Sequence, residues 1–216
     1  MFLTRPGYIQ TVRRIALAAT LALGLLSATG SSASSAELTT VRLDQHSSYI
    51  APAIDGHLVL GASVATVARS LGTPALRRWT RNATKLYYGQ LGPDRYTWEI
   101  TFRSLSACSG TARRAWSMRS QSPHLDLESG RPLLRPKFGQ QVIFEAIRSE
   151  LDHYDPVAWY FIGFNRAGTV GRFGARDAKE GQEIRFGLDG KRRHFFEILL
   201  QPAGGTNFPP EVRCAR

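Results

Sequence analysis

Between residues 96 and 103, Tyr96, Trp98, Ile100 and Phe102 alternate with Thr97, Glu99, Thr101 and Arg103. A period of two over this length fits a strand and no helix, because successive strand side chains point to opposite faces. The apolar positions are mostly aromatic, so one face must be buried while the other meets water. Partners lie close by: residues 85–89 read as a strand, and 114–120 repeat the alternation through Trp116 and Met118. Short polar segments separate the three, which predicts an antiparallel meander with one apolar face.

A helix to cover that face is written just upstream. Ser63 suits an N-cap, and Val64, Val67 and Leu71 recur at spacings of three and four. Gly72 fits the left-handed position beyond the helix end, and Pro74 cannot continue it. At about two and a half turns such a helix is marginal alone, so its apolar stripe needs a sheet to rest on.

The second half of the chain reads in the same order. Val142, Phe144, Ile147 and Leu151 have helical spacing, and strands are predicted at 157–164, 182–186 and 193–200, with an Asp189-Gly190 hairpin turn between the last two. Glu99-Ile100-Thr101-Phe102 matches Glu183-Ile184-Arg185-Phe186, which points to an internal duplication. The predicted fold is α+β: two similar units, each with short helices packed on one face of an antiparallel sheet. The expected boundaries are a signal peptide over 1–36, a flexible linker over 37–52, units over 53–127 and 128–204, and a tail over 205–216.

The leader carries Arg5, Arg13 and Arg14 before an apolar run at 15–26, then small residues ending at Ala36, the layout of an export signal. The run is shorter than the roughly 18–20 apolar residues of a spanning helix, so no transmembrane segment is expected in the mature chain. Removing the leader takes away three of 28 bases and none of the 17 acids, leaving 25 against 17, a net charge of +8. An exported chain of this charge favours anionic partners, either another protein or an envelope polymer. Cys108 and Cys214 are the two cysteines, and an even pair in an exported chain suggests a disulfide.

One family resemblance follows from quoted residues. Gly61-Ala62-Ser63, Val67, Leu71-Gly72 and Pro74, followed by Leu86-Tyr87-Tyr88-Gly89, resemble the repeat of the SmpA/OmlA (BamE-like) outer-membrane-assembly lipoproteins and of the secreted β-lactamase inhibitory protein. The resemblance covers about thirty residues and implies a helical pair on a small antiparallel sheet, tandem copies of which form a longer concave sheet. It also implies protein binding without enzymatic activity. The chain departs from the pattern in two places: no lipoprotein cysteine stands near residue 36, and no Gly-x-Pro stop follows Leu151.

Candidate binding residues sit on the polar side of the predicted sheet: Glu99, Thr101 and Arg103 in the first half, Glu183 and Arg185 in the second. The segment 165–181 adds Arg166, Arg172 and Arg176 and reads as a long hairpin tip or an extra strand pair. The alternative from another class is a secreted hydrolase or cell-wall-modifying enzyme built on Asp152, His153 and Asp155. Arg77, Arg78, Arg81 and Lys85 interleave with Trp79, Tyr87 and Tyr88, the ingredients of a nucleic-acid surface, but also those of a solvated sheet edge. Nucleic acid is not the expected partner of an exported chain. No His pair has metal-ligand spacing, and neither a metal nor a cofactor is expected.

Overall fold

Strands dominate the structure, a computed structural model that describes residues 38–46, 49–104, 113–154, 159–175 and 182–200. The first half runs Thr40–His46 (β1), Tyr49–Ile54 (β2), His57–Leu58 (β3), Val64–Leu71 (α1), Leu76–Trp79 (β4), Thr84–Gly92 (β5), Arg95–Ser104 (β6) and Arg113–Ser120 (β7). Then follow Asp126–Leu127 (β8), Gln140–Tyr154 (α2), Trp159–Phe164 (β9), Val170–Ala175 (β10), Gln182–Leu188 (β11) and His194–Leu200 (β12).

Local expectations hold well at α1. The Ser63 hydroxyl accepts from the Thr66 amide at 3.1 Å, and Gly72 closes the helix with φ of 80°. Strands β5, β6 and β7 form the expected antiparallel meander, with Ile100 opposite both Leu86 and Met118. Strand β10 is an added strand within the segment 165–181.

The architecture differs from the α+β prediction. Strand occupies 52% of the described residues, arranged in one sheet of four strands and one of eight, with only two short helices. The large sheet runs β4-β5-β6-β7-β12-β11-β10-β9, so each half contributes four consecutive strands and β7 joins β12 in the middle. That junction pairs Met118 with Ile198 and Arg119 with Glu197. The small sheet runs β3-β2-β1-β8 and uses residues 40–54, most of which fall in the expected flexible linker.

The reason lies in what covers the apolar face. Trp98, Ile100, Phe102, Met118, Phe186 and Ile198 share one buried cluster with Val41, Leu43, Ile50 and Ile54 of the small sheet. A sheet therefore closes much of the core that helices were expected to close, and α2 adds Ile143 and Ile147. Two polar clamps tie the layers. Gln182 donates to the Ile50 carbonyl at 2.8 Å and accepts from the Ile50 amide at 2.7 Å, and the Trp98 indole donates to the Leu38 carbonyl at 2.6 Å. Both satisfy buried polar groups whose burial would otherwise cost about 1–3 kcal/mol each.

Candidate functional site: the polar face of the large sheet

With one face of the large sheet sealed in the core, the alternate residues of its strands come together on the other. Glu99 on β6 stands opposite Arg119 on β7, Arg119 opposite Glu197 on β12, and Glu197 opposite Arg185 on β11. The result is a row of alternating charge across four strands. A second row runs from Lys85 through Thr101 and Ser117 to Leu199 and Glu183. Directly opposed cross-strand residues have Cβ atoms about 4.5–5.5 Å apart, close enough for opposite charges to stabilise one another.

All residues of these two rows but Glu183 line an open groove of about 610 Å³. On one side Lys85 donates to Glu99 at 2.6 Å, and Arg103 lies over the Trp116 ring at 5.3 Å from its centroid. Arg119 covers Phe195 at 4.1 Å and pairs with Asp189 at 3.6 Å. Asp189 also accepts from Gln121, from Arg193 and from the amides of Lys191 and Arg193. Burial alone would raise the Asp189 pKa, but the hydrogen bonds from Arg193 and Lys191 outweigh it and hold the carboxyl below its usual range.

Glu197 behaves in the opposite way. It accepts no hydrogen bond among the described residues, and burial pushes its pKa up despite the attraction of Arg119 and Arg185. The nearby Glu99 and Glu183 carboxylates add to the rise. An acid of this kind in the groove floor is available to a donor brought by a partner.

Four of the expected binding residues, Glu99, Thr101, Arg103 and Arg185, line this groove. Glu183 does not: it is 2% exposed and instead positions Arg185 at 2.8 Å and Arg172 at 3.8 Å. The Glu183 hydrogen bond, chiefly, raises the Arg185 pKa and keeps its guanidinium charged. Arg172 belongs to β10 rather than to a loop, and Arg166 lies exposed in the turn between β9 and β10, outside the groove lining. Arg176, Cys108 and Cys214 lie outside the described residues.

Arg119 and Glu197 are groove residues that the sequence reading passed over. Arg119 follows from the alternation that buries Met118, and Glu197 is the single acid in the apolar strand β12. Neither signal depends on long-range information.

No protein-family model, curated protein or solved structure matches this chain. The SmpA/OmlA resemblance therefore rests on residues 61–89 alone. Among the cluster considered for hydrolysis, Asp152 pairs with Arg148 at 3.3 Å on the exposed side of α2, while the His153 and Asp155 side chains lie outside the described residues. Among the described residues no group of three His, Cys, Asp or Glu side chains could hold a metal, and no helix is long and apolar enough to cross a membrane.

Proposed function

We propose that this chain is an exported, non-catalytic protein-binding module that uses the polar face of its large sheet. The observation that carries the reading is the row Glu99, Arg119, Glu197 and Arg185 along the open groove. Both signs alternate there, and the groove lining holds Lys85, Arg103, Arg119, Arg185 and Arg193 beside Asp94, Glu99, Asp189 and Glu197. A uniformly anionic polymer would meet four carboxylates among the five bases on such a surface. A protein carrying its own mixed charges would meet complementary ones. The leader at 1–36 supports export, and the resemblance at 61–89 supports protein binding without catalysis.

The test uses the chain without its leader, immobilised and exposed to the organism's envelope and secreted fractions. Lys85→Glu with Arg103→Glu reverses two charges on the groove wall, one of which faces Glu99. Capture of the partner by this variant should fall at least about tenfold, and capture by the parent should weaken as salt shortens the screening length to about 8 Å. Unchanged capture by a folded double variant, at low and high salt alike, would remove the sheet face from consideration.

A further inference from the structure

At one end of the large sheet, β6 begins, β7 ends and β12 begins. The side chains gathered there line a separate cavity of about 350 Å³. Its cationic members are Arg95, Arg135, Arg192 and Arg193, the His194 imidazole lies beside them, and no carboxylate lines it. Two of these cations are answered nearby: Arg135 pairs with Asp126, and Arg193 pairs with Asp189 at 3.0 Å. Arg95, Arg192 and His194 have no acidic partner among the described residues. Arg95 reaches only the Gln121 carbonyl, at 3.4 Å, while its Nε and the Nδ1 of His194 are buried without any hydrogen-bond partner.

Buried nitrogens of this kind are uncommon, since leaving a buried polar group unpaired costs about 1–3 kcal/mol. Converging like charges add to the cost. An oxyanion placed in the cavity offsets the convergence of unpaired guanidinium charge at Arg95 and Arg192, because guanidinium forks match carboxylate and phosphate oxygens. We infer that this cavity binds a small ligand bearing a carboxylate or phosphate group. Pro123 and Leu134 supply an apolar wall on which the rest of the ligand rests. The volume suits a compact molecule, at the lower end of small-ligand sites. Gln121 and Arg193 line both this cavity and the sheet-face groove, so the two adjoin. The inference does not depend on the protein-binding reading.

Thermal-shift and calorimetric titrations test it with four probes: phenyl phosphate, benzoate, inorganic phosphate and benzyl alcohol. Phenyl phosphate or benzoate should bind saturably and raise the melting temperature, and benzyl alcohol should not. The tighter of the two anions identifies phosphate ester or carboxylate as the ligand class. Arg192→Gln, at an exposed turn position, should weaken that binding about tenfold. Arg95→Gln should do the same, with circular dichroism establishing that it folds. Arg69→Gln removes an equal charge from α1 and should leave affinity unchanged. Absence of saturable binding, or equal losses from Arg69→Gln and Arg192→Gln, would overturn the inference. Equal affinity for inorganic phosphate and phenyl phosphate would overturn the role given to the apolar wall.

Discussion

Glu197 sits where its charge is costly. Its folded-state pKa lies above the ordinary 4.5, chiefly through burial, so the protonated form favours the folded chain. That stabilisation is complete below the unfolded pKa and is lost as pH rises through the folded value. Glu197→Gln should therefore melt higher than the parent at pH 7, and the two curves should converge below about pH 4.5; thermal denaturation at both pH values reads this directly. Tyr88 gives a second check. Its hydroxyl is buried without a partner and burial pushes its pKa up to about 12, so Tyr88→Phe should leave stability to urea unchanged or raise it. Much of the candidate site was legible at this scale. Glu99, Thr101 and Arg103 follow from strict alternation with Trp98, Ile100 and Phe102. Glu183 has the same parity as Glu99 yet is buried, where it pairs with Arg185 at 2.8 Å and with Arg172 of β10 at 3.8 Å, and no local pattern reports the pair formed across strands.

Among the elements, α1 was readable to the residue because its cap, its apolar stripe and its glycine stop are all local signals. Strands β1 and β2 were not recognised. Val41 and Leu43 do alternate with half-buried Arg42, but the stretch follows a Ser- and Ala-rich leader and carries Thr, Asp, Gln and His around it. Strand β4 is a short edge strand bearing Arg77 and Arg78, in keeping with the solvated sheet edge their composition allows; such charges are how sheet edges avoid pairing with other chains. Within β11, Gly187 is fixed by geometry. It adopts φ of +133°, and a Cβ there would stand 2.1 Å from the Thr169 carbonyl oxygen. Gly187→Ala should cost about 3 kcal/mol or more in equilibrium unfolding, since both backbone strain and a backbone clash oppose it. A cost below about 0.5 kcal/mol would show that the β9–β10 turn at Thr169 is free to shift.

For the molecule as a whole, the decisive event is the pairing of β7 with β12, which makes one eight-stranded sheet from two meanders. The repeated order of elements was visible in the sequence, but which strand edges would meet was not, because register between distant strands is set by tertiary packing. The junction has a functional consequence: it places Arg119 against Glu197 and so carries the charge row from one half into the other. The central claim is that this composite face meets the partner. It is tested by placing a photo-crosslinking benzophenone amino acid at position 103, on the groove wall, and separately at position 142, exposed on α2. Irradiation with the exported fraction should yield a specific covalent adduct from position 103 and none from position 142. An adduct from position 142 alone would place the binding surface on the helix side and contradict the account.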